Sequence, residues 1–126
     1  MKLSIFLAAI FALTVSAENC NGKKTAGETR LKARLEVKAL CMNYTLSLVE
    51  GELDKELLEA EWTDESTGKT YTNAFALGSP CNFPESIKEG DEFYFTIDST
   101  TKQDCAVCMA YYPTPSKKLK IKVLPE

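Results

Sequence analysis

Histidine is absent from this chain of 126 residues. Its absence excludes the Ser-His-Asp arrangement of many hydrolases, and it removes the side chain that most often binds metals and moves protons near neutral pH. The sequence also contains a single C-x-x-C pair, so the second ligand pair of a four-cysteine zinc site is missing. We therefore predict no catalytic residue, no metal site and no cofactor.

Long apolar runs are also absent. The longest is Leu3–Leu13, interrupted only by Ser4, and it is too short to cross about 30 Å of hydrocarbon. With Lys2 before it and Val15-Ser16-Ala17 after it, this run has the pattern of a secretory signal peptide over residues 1–17. We expect a protein exported to the periplasm or the medium, with no transmembrane segment in the mature chain.

The excess of acidic residues bears on possible partners. The chain has 15 basic and 18 acidic residues, a net charge of −3; removal of the signal peptide takes away Lys2 and leaves −4. Nucleic-acid binding depends on neutralising phosphates with basic side chains. The composition therefore predicts a protein that does not bind nucleic acid.

The remaining chain divides into a polar, flexible tail at 18–29 and one domain at 30–126. Residues 30–39 alternate strictly between polar and apolar, which indicates a strand with one wet face. The alternation slips near Leu40–Asn43, which predicts a bulge or a turn there. Further strands are expected at 58–64, 69–77, 93–98, 107–112 and 118–123, with a hairpin turn at Ser66–Lys69 and one candidate helix at Glu50–Glu61.

About six short strands with frequent turns predict an all-β fold, either a small antiparallel sandwich or a Greek-key barrel of the OB type, with at most one short helix. The pattern does not separate these two architectures. The apolar positions of the strands give the predicted core: Leu35, Val37, Leu46, Leu48, Trp62, Phe75, Phe93, Phe95, Ile97, Val107, Leu119, Ile121 and Val123.

Five cysteines remain in the mature chain: Cys20, Cys41, Cys81, Cys105 and Cys108. An exported protein meets an oxidising compartment, so disulfide bridges are expected. Because five is odd, one thiol stays unpaired within the chain, and Cys20 in the polar tail is the candidate for an unpaired or intermolecular cysteine.

The C-x-x-C pair at Cys105 and Cys108 has three interpretations. A redox centre needs a helix N-terminus to lower a thiol pKa, and the β-like flanks offer none; zinc needs the missing second pair. Structural bridging is favoured. If the pair is extended, its Cα atoms lie too far apart to bridge, so each would pair with Cys41 or Cys81. If it forms a turn, a local bridge and a Cys41–Cys81 bridge become possible.

The aromatic residues Trp62, Tyr111 and Tyr112 are candidates for a ligand-binding surface. Prolines at 113 and 115 follow the two tyrosines. Packing of Tyr111 on the core is the favoured interpretation, because period two places it with Val107 and Met109. Asn43-Tyr44-Thr45 also matches the N-glycosylation triplet, but its position in a strand argues against use.

Four stretches, "CMNYTLSLVEG", "EWTDESTGKTYTNAFALGSPCNFP", "IKEGDEFYF" and "CAVCMAYYPTPSKKLKIKV", resemble a family of small exported Bacteroidetes-type proteins over about residues 33–124. The resemblance implies export and implies that Cys41, Cys81, Cys105 and Cys108 act as a set; it implies no activity.

The predicted function is that of an exported, non-enzymatic β-domain that binds a small ligand, a glycan or an envelope protein. The alternative is a thiol redox or metal-binding protein that uses the C-x-x-C pair. A subunit of an envelope complex would show an exposed apolar patch around Trp62 or Tyr112.

Overall fold

The structure, a computed structural model, describes residues 30–126. The predicted signal peptide (1–17), the tail (18–29) and Cys20 lie outside the described residues. Seven strands form one sheet: β1 Leu31–Lys38, β2 Tyr44–Glu50, β3 Glu59–Thr63, β4 Thr70–Leu77, β5 Glu92–Ile97, β6 Lys118–Leu119 and β7 Ile121–Val123. Helical geometry in this part of the chain is limited to 3-10 turns at Leu40–Met42, Lys55–Leu57 and Pro80–Asn82.

The alternation predicted for the first strand is confirmed. In β1 the odd-numbered side chains are buried and the even-numbered ones are half-buried, as a period of two requires. The slip in parity corresponds to a tight turn at residues 39–43, so β2 places Tyr44, Leu46 and Leu48 on the inner face.

The strand order is β3-β4-β2-β1-β5-β7, and β6 pairs in parallel with β4. The other pairings are antiparallel. Only Lys120 separates β6 from β7, so the last strand region contacts β4 through its first half and β5 through its second half. Following the hydrogen-bonded pairs from β4 through β2, β1 and β5 to β7, and then back along the chain to β6, leads to β4 again. The strand content confirms the all-β prediction.

The core lies on the inner side of these strands. Its buried cluster comprises Leu31, Ala33, Leu35, Tyr44, Leu46, Phe75, Leu77, Phe83, Phe93, Phe95, Leu119 and Ile121. Eight of the predicted core residues are buried, and Leu48, Trp62 and Val123 are half-buried. The prediction is wrong for Ile97 and Val107, which are exposed.

The helix predicted at Glu50–Glu61 does not form. Gly51, whose φ is +92°, follows directly after β2, and the side chain of Asp54 accepts a hydrogen bond from the amide of Glu56 in a single 3-10 turn. The chain then enters β3, which pairs with β4 through a turn at residues 64–69, where the sequence predicted a hairpin turn at Ser66–Lys69. The hydrogen bonds between β3 and β4 stabilise the strand more than a short isolated helix would be stabilised by its own backbone hydrogen bonds. The helical spacing of the leucines therefore does not decide the structure.

Among the residues described, no helix is long and apolar enough to cross a membrane.

Candidate functional site

Two disulfides tie one irregular segment to two separate turns. Cys41 in the β1–β2 turn bonds Cys108, and Cys81 in the β4–β5 connection bonds Cys105, with Cα–Cα distances of 5.0 and 5.5 Å. The predicted disulfide bonding is confirmed, and the pairs are long-range in sequence. Each C-x-x-C cysteine is therefore joined to a distant residue, and Cys105 and Cys108 do not bridge each other.

The strand predicted at residues 107–112 is absent. The whole connection from β5 to β6, residues 98–117, contains no strand and is named here the bridged segment. Pro113 and Pro115 cannot donate to a ladder, and the two disulfides hold neighbouring cysteines against different turns. These constraints outweigh the alternation that predicted a strand.

Besides its bridges, the bridged segment has one fully buried side chain, Pro115, and several hydrogen bonds to the rest of the domain. The amide of Asn43 donates to Ala110 O at 2.9 Å, the hydroxyl of Tyr112 donates to Asp64 Oδ2 at 2.8 Å, and Ser116 donates to Glu59 Oε1. Each such bond contributes about 1 kcal/mol net, whereas fixing the backbone of one residue costs about 1–2 kcal/mol. The side-chain oxygen of Gln103 also accepts from the amide of Cys81, and the carbonyl of Lys117 accepts from the amide of Ala76. The two covalent bridges add to these restraints.

The β1–β2 turn has an unusual backbone. Cys41 and Met42 have φ values of 56° and 57°, a left-handed region that side chains with a Cβ seldom adopt. The Asn43 side chain donates to Leu40 O as well as to Ala110 O, both at 2.9 Å. The asparagine and the Cys41–Cys108 bridge thus hold the turn and the bridged segment together.

This arrangement also bears on the glycosylation triplet. The Asn43 amide is occupied by two carbonyls, and Thr45 is completely buried. The folded domain therefore does not present the triplet to a glycosyltransferase.

Four apolar side chains point into solvent where the turn and the bridged segment meet, and they are named here the apolar tip: Leu40, Val107, Met109 and Tyr111. Met109 is 94% exposed and Tyr111 is 84% exposed. The expectation that Tyr111 packs on the core is wrong, because the residues around it do not form a strand. Of the seven large apolar residues that are exposed in the described part, four belong to the apolar tip, so their exposure is concentrated at one place.

Tyr112 points the other way. Its hydroxyl meets the buried carboxylate of Asp64, which also accepts from the amide of Ser66 at 2.8 Å. The hydrogen bond to Asp64, with a smaller contribution from burial, raises the pKa of Tyr112 above its ordinary value. Asp64 was not predicted from the sequence. The turn chemistry of Asp64-Glu65-Ser66 was a usable signal, but the contact with a residue 48 positions away was not.

The outer face of β2 and β4 forms a second buried surface, with Thr45, Ser47, Ala74 and Ala76 all buried although they lie outside the main core cluster. The bridged segment is anchored at both sides of this face, to Asn43 ahead of β2 and to β3 beyond β4. Ser47 donates to Glu36 Oε1, but the hydroxyl of Thr45 has no partner. This face is named here the covered face.

The three aromatic residues that were candidates for a ligand-binding surface, Trp62, Tyr111 and Tyr112, do not form one surface. Trp62 is half-buried and stacks on Tyr71 across the β3–β4 hairpin, with 6.0 Å between ring centroids. Burial, followed by the negative charges of Glu36 and Asp64, raises the pKa of Tyr71. Trp62 and Tyr112 therefore belong to packed surroundings, and Tyr111 alone of the three is fully presented to solvent.

A separate ionic group lies on the outer side of β1 and β5. Arg34 contacts Glu92 at 2.7 Å and Glu36 at 3.5 Å, and Lys32 contacts Glu92 at 3.6 Å. The hydrogen bond from Arg34 lowers the pKa of Glu92. These are mutually compensated surface charges, which contribute little to stability and offer no free charge for a substrate.

One cavity in the described part of the chain, residues 30–126, lies beside the bridged segment. This depression of about 520 Å³ is lined by Asn82, Asp98, Thr101, Lys102, Asp104, Lys122 and Val123, which carry charges of both signs. A druglike or cofactor pocket is usually apolar with a few convergent polar groups. Within residues 30–126 no group of three or more cysteine and acidic side chains is placed to hold a metal ion.

Replacement of Asp64 by Ala is expected to lower the free energy of unfolding by about 2–3 kcal/mol, because two hydrogen bonds to a buried carboxylate are lost. Absorbance titration is expected to show the pKa of Tyr112 moving down towards its ordinary value, while the pKa of Tyr44, raised mainly by burial, stays unchanged. An unchanged Tyr112 titration would contradict the assigned contact.

The same pKa shift has a consequence for pH. A tyrosine whose pKa is higher in the folded state contributes stability that is complete below the unfolded pKa of about 10 and is lost as the pH rises through the folded value. The stability of the parent protein should therefore fall above pH 10. The contribution from Tyr112 should be missing in the Asp64→Ala variant.

Comparison with models of known families, with curated proteins and with solved structures found no match. The resemblance to exported Bacteroidetes-type proteins accordingly stays a prediction.

Proposed function

We propose that this chain is an exported, non-enzymatic binding module that inserts its apolar tip into an apolar groove of an envelope protein. The observation that carries the proposal is the concentration of exposed apolar side chains on loops that two disulfides hold in place. Export is supported by the disulfides, which persist in oxidising compartments, and by the predicted signal peptide.

The architecture that we propose is a barrel of the OB type rather than a sandwich. Five strand positions, β1, β2, β4, β6–β7 and β5, follow one another in a ring of hydrogen-bonded pairs. In OB folds the loop between the first two strands and the loop between the last two contribute to ligand binding. These loops correspond here to residues 39–43 and 98–117, which carry the apolar tip.

The shape of the apolar tip favours a protein over a small ligand or a glycan. Small ligands bind in concave sites that bury most of their surface. Met109 and Tyr111 instead protrude almost completely into solvent. A protruding apolar group is complementary to a concave groove on a larger partner, where tyrosine and methionine are enriched at the centre of interfaces.

Charge argues against a lipid surface as the partner. Between Gln103 and Ser116 the only charged residue is Asp104, which is negative, and the whole chain is acidic. Loops that bind anionic membranes use lysine and arginine beside their apolar side chains. An acidic chain with an apolar tip is therefore better matched to a protein groove with a neutral or basic rim.

The disulfides also explain how such a small surface could bind well. Ordering a loop on binding costs affinity, and a loop that is already ordered avoids this cost. Cys41–Cys108 fixes the tip at its centre, because Val107 and Met109 flank Cys108 and Leu40 precedes Cys41. The apolar tip is thus presented in a fixed geometry.

A photoreactive amino acid at Met109 should cross-link the native partner in the producing cell, and the same group at Lys55, beyond the opposite end of β2, should not. With the identified partner purified, we expect the Met109→Asp/Tyr111→Asp variant to weaken the dissociation constant at least about thirtyfold, as loss of an aromatic hot spot of 2 kcal/mol or more requires.

Leu57→Asp provides the control, because it places a negative charge on an exposed apolar residue outside the tip. This variant should bind as the parent does. Parent-like binding by Met109→Asp/Tyr111→Asp would overturn the proposal, as would cross-linking only to a second copy of the chain or to lipid.

A further inference from the structure

We propose that the two disulfides form a reducible latch: reduction by a dithiol releases the bridged segment and opens the covered face, while the sheet stays folded. The inference concerns the covered face of β2 and β4. It does not depend on the partner proposed for the apolar tip.

The positions of the cysteines make such a local opening possible. All four lie outside the strands, and both bridges end in the bridged segment, at Cys105 and Cys108. The buried core cluster takes no residue from the stretch between Phe95 and Leu119. Reduction therefore cuts two restraints on the bridged segment without removing a residue from that core cluster. Pro115, which is fully buried, would leave its site when the segment opens.

Apart from its bridges, the closed state is held by hydrogen bonds and by one fully buried side chain, Pro115. The partners outside the segment are Asn43, Asp64, Glu59, Ala76, Cys81 and Lys120. The buried hydroxyl of Thr45 has no partner while the face is covered. A buried hydroxyl without a partner disfavours the state in which it occurs, and opening would give it water.

The chemistry balances for a dithiol reductant. Cys105 and Cys108 are exposed, so a thiolate can attack the bridge sulfur of either residue. The attack breaks the S–S bond and forms a mixed disulfide, and the second thiol of the reductant then resolves this intermediate. Each bridge gains two electrons and two protons to give two thiols, and each dithiol becomes a disulfide.

Opening changes the surface that the protein presents. Thr45, Ser47, Ala74 and Ala76, which are buried in the closed state, would become a shallow face of small side chains. The apolar tip would at the same time lose its fixed geometry. The redox state of the two bridges thereby selects between two different surfaces of the same domain.

Hydrogen exchange followed by mass spectrometry tests the latch. The sample is the mature chain with Cys20→Ser, which is folded and oxidised first and then reduced with dithiothreitol. Amides in the turn at residues 39–43 and in residues 107–117 are expected to exchange at least tenfold faster after reduction, among them that of Ser116, which donates to Glu59 in the closed state. Amides of β1 and β5 at Leu31–Leu35 and Phe93–Phe95 should remain protected, although the loss of global stability that follows from the missing bridges speeds their exchange. Reoxidation should restore the original rates.

Two outcomes would overturn the latch. If all strands exchange together after reduction, the bridges hold the whole domain and not the bridged segment alone. If residues 107–117 stay as protected as before, the bridged segment keeps its position without the disulfides. The Cys41→Ser/Cys108→Ser variant gives a second check without reductant. In it, the turn at residues 39–43 should show the increased exchange while β5 remains protected.

Discussion

Loss of the Cys41–Cys108 bridge is expected to lower the free energy of unfolding by about 4 kcal/mol, and loss of Cys81–Cys105 by about 3 kcal/mol. The physical reason is the entropy of the unfolded chain. The first bridge closes a loop with a sequence separation of 67 residues and the second one of 24 residues, and a longer closed loop restricts the unfolded chain more. Paired cysteine-to-serine variants in a Cys20→Ser background, unfolded in urea, measure both effects.

The fluorescence of Trp62, the only tryptophan of the chain, reports the transition from the β3–β4 hairpin. The order of the two losses is the sharpest part of the prediction, since it follows from the connectivity alone. A Cys81→Ser/Cys105→Ser variant that is less stable than Cys41→Ser/Cys108→Ser would contradict the loop-entropy account. Equal stability of parent and variants would show that the bridges do not brace the domain.

The second large effect is expected from Phe95→Ala, at about 3–5 kcal/mol. Phe95 is completely buried, and its ring lies 5.8 Å from that of Phe75 and 6.3 Å from that of Phe93. Truncation leaves a cavity among aromatic rings that the closed set of strand pairings cannot readily fill. Urea unfolding of the variant and the parent measures the difference.

Ile97→Ala is the matched control, because Ile97 lies in the same strand and 42% of its surface is exposed. Its truncation should cost less than about 1 kcal/mol, since surface substitutions have small effects. A loss at Ile97 as large as that at Phe95 would favour the core predicted from the sequence over the core seen in the structure.

The sequence was most informative where one face of a strand is wet and the other is buried. The alternation over β1 predicted the strand, its inner face and the turn that follows it, because a period of two has no other common structural origin. The hairpin turn at Ser66–Lys69 was equally clear from its turn residues. Such signals are local, and they describe strands without specifying which strands pair.

The sequence misled where local pattern and tertiary restraint disagree. Val107, Met109 and Tyr111 alternate as a strand would, yet the two bridges and the following prolines hold them in an irregular segment. Their exposure could not be predicted, because it depends on which cysteines pair, and four cysteines allow three pairings. The structure selects the pairing that places Val107, Met109 and Tyr111 beside Leu40.

The helix expected at Glu50–Glu61 failed for a related reason. Leucine spacing favoured a helical face, but the available partner for Glu59–Thr63 is the edge of β4. The contact of Tyr112 with Asp64 is similar in kind, since it joins residues 48 positions apart. Long-range partners of this sort become visible only in the folded chain.

The central claim is that Cys105 and Cys108, although three residues apart, are joined to two different turns. Elastase cleavage of the unreduced mature protein beside Ala106 and Val107, followed by mass spectrometry of the linked peptides, tests it directly. We predict one species that joins Cys41 to Cys108 and one that joins Cys81 to Cys105. Peptides that join Cys105 to Cys108, or Cys41 to Cys81, would contradict both the braced apolar tip and the latch.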